Sequence, residues 1–318
     1  MSQPAPASSS GRLLRGAPLA HLRWDAASGA ATARPPVLLL HGIGGSRQAW
    51  RDGPASTGAT LAAAGHSVPP LDVPGDGLSP PVPAGATADT ADTADMADMA
   101  DMARMARMAR MVHITHTAQP VLPLIHQLGA GPVVPVGHSM GGMVAQLLVA
   151  LALQAVCGLV SASTSPGFGK PAGDWPRAFL QSGRAPPDAA LGMAGLAAHR
   201  VPGRVAPGAP ASVQQAAQAV MAVMAVKAVM AAVPGATYRG ASATLVQFDQ
   251  RAYLPHTSVP TLVITGEADR VAAPELSRRM AAAIPGALGA IVPGAGHLLP
   301  IESPAAFNAA LLAFLLTI

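Results

Sequence analysis

The sequence predicts an α/β protein with a mostly parallel central sheet covered by helices on both faces, and three observations carry that expectation. Short apolar runs alternate with helix-compatible stretches along the chain, as strands and their crossover helices do in a parallel sheet. Residues with chemical potential, His41, Ser139, Asp269 and His297, each follow the end of such a run, and open α/β sheets place their sites at the carboxyl ends of strands. Half of the 318 residues are hydrophobic, which suffices for a large core without disulfide support.

The elements follow in order. Met1 through Ser10 is rich in Pro, Ala and Ser without the charged and apolar regions of a signal peptide, and reads as part of a disordered tail over 1–20. His21 to Trp24 is expected as an antiparallel edge strand. Core strands are expected at Val37 to Leu40, about Ser67 to Val73, Val133 to Val136, Ala155 to Ser161, Thr261 to Thr265 and Ala290 to Val292. Pro69 and Pro70 interrupt the second. Pro135 falls inside the third, where it removes a ladder donor and calls for a local bulge.

Between Ser165 and Asp249 the strand alternation stops and Pro-, Gly- and Ala-rich helical segments take over. The chain therefore divides into a first core part over 21–164, an inserted helical cap over 165–249 and a second core part over 250–318. Trp175, Phe179, Met193 and Leu196 are the largest apolar residues of the cap, and packing within it is their expected role.

Residues 88–111 repeat in threes, with Asp at 89, 92, 95, 98 and 101 and Arg at 104, 107 and 110. A period of three falls short of the helical 3.6, so the charges wind around a helix without forming a constant face for a partner or metal. Acid at the start and base at the end complement the macrodipole, and a solvated helix is expected. A weaker triplet pattern over Val220 to Met230 points to duplication of short sequence.

The chemistry centres on Gly137-His138-Ser139-Met140-Gly141. A sharp strand-to-helix turn would hold Ser139 in a strained conformation with its hydroxyl exposed, while the glycines let neighbouring backbone approach. An isolated pattern of this kind describes an ordinary turn serine. Four companions outweigh that reading: the loop His41-Gly42-Ile43-Gly44-Gly45-Ser46, the turn segment beginning Asp72-Val73-Pro74-Gly75, the strand ending Gly266-Glu267-Ala268-Asp269, and the late Gly294-Ala295-Gly296-His297. Serine is a poor nucleophile without a base. His297 is the expected base, with Asp269 fixing its tautomer. Glu267 is the close rival for the acid and Asp249 a looser one, whereas His138 and His41 are expected to pack or to hydrogen-bond the loops.

With these motifs in the order Ser139, Asp269, His297, the chain resembles α/β-hydrolase-fold enzymes of the serine esterase, lipase and lactonase type. The resemblance spans about His21 to Ile318 and implies an α/β-hydrolase fold with an inserted cap. It further implies an oxyanion hole from the backbone N–H groups of Ile43 and Met140, and hydrolysis of small-molecule carboxylic esters or lactones through an acyl-enzyme on Ser139, with no cofactor or metal. The same triad also serves C–C bond hydrolases and cofactor-free perhydrolases, and a catalytically idle ligand receptor on this fold is the alternative of a different class.

Composition narrows partners and substrates. The net charge is +4 and the pI about 10.0, yet charged residues are only 11% of the chain. No basic cluster is interleaved with aromatics, which argues against nucleic-acid binding. Every long apolar stretch is broken by charge, Pro or Gly before it reaches membrane-spanning length, so a cytoplasmic protein is expected. Cys157, the single cysteine, is expected as a buried thiol within a strand. Aromatics make up 3% of the residues, which favours an aliphatic pocket wall and uncharged aliphatic substrates.

Overall fold

The computed structural model describes residues 8–14, 17–23, 34–50, 56–74, 79, 118–128, 131–167, 201–217, 245 and 248–318. The triplet helix of 88–111, the Val220 to Met230 tract and cap residues Trp175, Phe179, Met193 and Leu196 lie outside them.

The apolar runs become one eight-stranded sheet. Its strands are Ser8–Leu14 (β1), Ala17–Arg23 (β2), Val37–Leu40 (β3), Pro70–Leu71 (β4), Val134–His138 (β5), Leu159–Ala162 (β6), Thr261–Gly266 (β7) and Leu288–Val292 (β8). Their spatial order is β1-β2-β4-β3-β5-β6-β7-β8. The six strands from β4 to β8 in that order pair in parallel, while β1 and β2 form an antiparallel edge.

That edge corrects the expected tail. Residues 8–14 are strand, and β2 begins at Ala17, ahead of the anticipated His21. Leu14 pairs with Ala17, leaving only Arg15 and Gly16 between the strands. A glycine in a two-residue connection is a hairpin signal that a count of Pro, Ala and Ser does not register.

The prolines are accommodated by geometry. Around β4 the carbonyls of Ser67 and Pro69 accept from the Val37 and Leu39 N–H groups at 2.9 and 3.4 Å, so the strand is short but still joined. At β5, Val133 pairs with Val156 and Val136 with Val160. Val134 and Pro135 therefore stand opposite three residues, Cys157, Gly158 and Leu159. The extra residue is a bulge, and it falls beside the proline that cannot donate. It also shortens β6, so Cys157 precedes that strand instead of lying within it. The thiol is half-buried, and burial pushes its pKa up.

Helices Thr57–Ala63 (α1), Val121–Leu128 (α2), Met140–Leu151 (α3), Pro274–Ala283 (α4), Leu299–Glu302 (α5) and Pro304–Leu315 (α6) accompany the sheet. Alternation along β3 divides the core. Leu38 and Leu40 pack with Val121 of α2 and with Met143 and Leu147 of α3. Val37 and Leu39 pack with Leu61 of α1 and with Phe307 and Leu311 of α6. Both faces are covered, which is why these strands read as continuous apolar runs. Among the described residues no helix is long and apolar enough to cross a membrane.

Phe307 is fully buried and lies with its ring centroid 6.2 Å from that of Trp50. Phe307→Ala is expected to destabilise the fold by about 3–5 kcal/mol through lost burial and a residual cavity, measured as a shift in the urea unfolding midpoint.

Candidate active site

Ser139 stands between the end of β5 and the start of α3 with φ 53° and ψ −117°. A non-glycine residue there stores strain. The surroundings hold it. Its N–H donates to Ala162 O at 2.9 Å, and its carbonyl accepts from the Gly142 and Met143 N–H groups and from Thr164 Oγ1, the last at 2.6 Å. A Cβ on Gly137 would collide with the Gly141 carbonyl, and one on Gly141 with the Leu40 carbonyl. The turn thus requires glycine on both sides.

The loop after β3 lies against this elbow. A Cβ on Gly42 would come within 3.1 Å of both His138 Nδ1 and Ser139 Cβ. The loop is closed by the Gly45 N–H donating to Gly42 O at 2.9 Å, with Gly44 at φ 69°. Asp72, at the end of β4, accepts from the Arg47 N–H at 2.7 Å and pairs with the Arg47 guanidinium in a buried contact. Among the described residues, neither the Ile43 N–H nor the Met140 N–H is engaged in a hydrogen bond.

His297 joins the acid to the serine. Its Nδ1 faces Asp269 Oδ2 at 3.0 Å and Oδ1 at 3.1 Å, and its Nε2 lies 3.1 Å from Ser139 Oγ. A carboxylate only accepts, so Nδ1 donates to it and Nε2 is left to accept the serine proton. Burial works to raise the Asp269 carboxyl. The charge and hydrogen bond of His297, with the Ala272 and Val271 N–H groups, outweigh it and hold the group below the usual carboxylate range.

The rivals are occupied elsewhere. Glu267 accepts from the Gly294 N–H at 3.0 Å, and Asp249 pairs with Arg251 on the surface. His41 donates from Nδ1 to Gly42 O at 2.8 Å and accepts at Nε2 from the Val73 N–H at 3.1 Å, a neutral tautomer with both nitrogens used. Burial lowers its pKa. His138 Nε2 donates to the His297 carbonyl at 2.7 Å. Burial, and then the neighbouring His297, push the His138 pKa down to about 3. Among the described residues no group of three or more His, Cys, Asp or Glu is placed to hold a metal ion.

Sequence reasoning missed Glu302. Its carboxylate accepts from the Gly296 and Leu298 N–H groups, each at 2.9 Å, and from the Ala206 N–H at 2.7 Å. It grips the chain on both sides of His297 and ties it to the 201–217 segment. One signal was available: Glu302 is the sole acidic or basic residue between His297 and Ile318. A cleft of about 500 Å³, counted out to solvent, opens over Ser139 and His297 between the walls Ile43, Trp50, Ala217 and Ile301.

The alpha/beta hydrolase family model matches residues 37–310, and the chain belongs to that family. A thermophilic esterase from Thermogutta terrifontis superposes with TM-score 0.71 at 22% identity, covering 98% of this chain and 99% of the other. The enol-lactonase from Burkholderia xenovorans LB400 gives TM-score 0.70 at 22% identity, covering 98% and 100%. A 71-residue stretch, 22% of this chain, is 42% identical to part of the polyketide synthase ThaQ of Burkholderia thailandensis, of whose length it spans 3%. An esterase and a lactonase match equally well, so these likenesses speak to the fold and leave the substrate open.

Glu302→Gln keeps the size of the side chain but replaces an acceptor of three N–H groups by an amide. The expected results are a stability loss of about 1.5–3 kcal/mol and a fall in hydrolytic turnover of up to about 10²-fold as His297 shifts. Denaturant unfolding and steady-state kinetics check the two, with KM expected to change less than kcat.

Proposed function

We propose that this α/β hydrolase cleaves carboxylic esters or lactones of small, mainly aliphatic substrates through an acyl-enzyme on Ser139. One observation carries the reading: a single imidazole, that of His297, bridges a buried carboxylate and the hydroxyl of a half-buried serine held at the strained turn between β5 and α3. Ser139 Oγ attacks the acyl carbon while its proton passes to His297 Nε2. Asp269 stabilises the imidazolium that forms. The tetrahedral oxygen receives the N–H groups of Ile43 and Met140. As it collapses, the proton on Nε2 moves to the departing alkoxide, and water then repeats the sequence to release the acid. In a lactone the departing alkoxide stays attached to the acyl chain.

A cap role is proposed for the inserted segment on the strength of its described residues. Gly167 bridges to Asp249, and the Gln250 N–H donates to Pro166 O at 2.5 Å, so the chain leaves and re-enters the core side by side. Arg204 and Ala217, from inside the segment, line the cleft. The apolar walls favour aliphatic acyl groups over polyanions, because multiple charges would lose hydration without replacement partners.

The test is hydrolysis of p-nitrophenyl esters and lactones by the purified chain and its Ser139→Ala variant. The variant is expected to lose activity with its melting temperature nearly unchanged. Asp269→Asn is expected to lower kcat by up to roughly 10⁴-fold, and Glu267→Gln by far less. Full turnover by Ser139→Ala in a contaminant-free preparation would remove the proposal.

The pH profile gives a second check. A protonated His297 cannot accept the serine proton, so kcat/KM falls toward acid. The Asp269 pKa is lowered, and His138 stays neutral until about 3, so neither adds an ionisation on that limb. A slope of about one in log kcat/KM against pH is expected; a slope near two would show a second essential group.

A further inference from the structure

Arg204 is the one cleft-lining residue, among those described, with a permanent charge. It is half-buried. No described carboxylate lies within ion-pair distance of it, the described pairs all belonging to other residues. The walls around it, including Ile43, Ala49, Trp50, Leu298 and Ile301, offer no charge to match. The guanidinium is felt within the site all the same, since it is among the groups that disfavour protonation of His138.

Its place is built by the backbone. The Arg204 carbonyl accepts from the His297 N–H at 2.7 Å, and its own N–H donates to Val201 O at 2.9 Å. Two residues on, the Ala206 N–H is held by Glu302. The segment sits so close to the His297 loop that a Cβ on Gly296 would lie 2.5 Å from Ala206 N and 2.9 Å from Arg204 O. Arg204 is therefore registered directly on the loop that carries His297.

A guanidinium stripped of part of its water is stabilised by an opposite charge. Its planar fork fits a carboxylate with two parallel hydrogen bonds. One cation among apolar walls matches one carboxylate, and a phosphate or second acid group would leave charge unpaired. Resting on the hydrolase reading above, we propose that the preferred substrate bears a single carboxylate, joined to the scissile acyl group by a short aliphatic segment, and that Arg204 pairs with it. Such a substrate keeps the aliphatic character expected from composition and differs from the uncharged one expected there by one acid group at its far end.

The test compares p-nitrophenyl hydrogen glutarate with p-nitrophenyl pentanoate, each corrected for spontaneous hydrolysis. The wild-type chain is expected to favour the acid-ended ester in kcat/KM by roughly 10- to 100-fold. Arg204→Gln is expected to collapse that ratio to about one, chiefly through KM, and Arg204→Lys to keep an intermediate ratio because it retains charge without the fork. Raising ionic strength should lower kcat/KM for the glutarate ester and leave the pentanoate ester nearly unaffected. This arm needs only the wild-type chain and decides the matter if Arg204→Gln does not fold. Turnover of pentanoate with no preference for glutarate and no salt effect would overturn the carboxylate subsite while leaving the hydrolase intact. Turnover of neither ester, with no labelling of Ser139 by a fluorophosphonate, would overturn the hydrolase reading itself.

Discussion

The site depends on how closely backbone passes backbone at the turn between β5 and α3. The position of Ser139 follows from the absence of side chains at Gly137 and Gly141, where a Cβ would strike the Gly141 and Leu40 carbonyls. Only with those contacts open can the start of α3 lie across the end of β3. The positive φ at Ser139 costs on the order of 1–3 kcal/mol. Four hydrogen bonds to its backbone, from strand, helix and Thr164, offset that strain and prevent relaxation. The loop of Gly42 to Gly45 and the catalytic geometry proposed for His297 both inherit their coordinates from this crossing.

Three histidines gather within this small volume, and their environments separate their roles. His41 has both ring nitrogens committed to backbone, one donating and one accepting. His138 packs against His297 with ring centroids 5.1 Å apart and spends its Nε2 proton on that residue's carbonyl. A positive charge on either would be buried without a counter-ion in direct contact at the ring, apart from Asp72 at 4.0 Å from His41. His297 alone receives a carboxylate on one nitrogen and a hydroxyl on the other. In the proposed mechanism, proton transfer is directed to His297 because the other two imidazoles are unfavourable places for charge.

Much of this was legible in the residues. The parallel order of strands followed from apolar runs separated by crossover lengths, and the relation of Ser139, Asp269 and His297 followed from their placement after strand ends. Pro135 even indicated the bulge, since its missing N–H has to be absorbed beside it. What escaped was information held in pair geometry. The β1–β2 hairpin depends on Leu14 meeting Ala17, whereas composition suggested a tail. Glu302 acts on backbone N–H groups, which every sequence has, so its partners leave no pattern; only its isolation in an uncharged stretch marks it. The parting of Cys157 from β6 likewise follows from the bulge and not from any property of cysteine.

Arg204 extends the same reasoning to specificity. Arg204 lines an apolar cleft, and its carbonyl accepts from the His297 N–H. The guanidinium proposed to pair with substrate and the carbonyl that holds the His297 backbone thus belong to one residue. Glu302 then fastens the following turn through Ala206 to the N–H groups on either side of His297. A displacement of the 201–217 segment would therefore move Arg204 and His297 together. Substitutions elsewhere in the inserted segment that shift this turn are constrained by chemistry as well as by fit, since a pocket reshaped at Arg204 also reaims His297. Freedom to vary the substrate lies in the walls that share no hydrogen bond with the His297 loop, such as the one bearing Ala49.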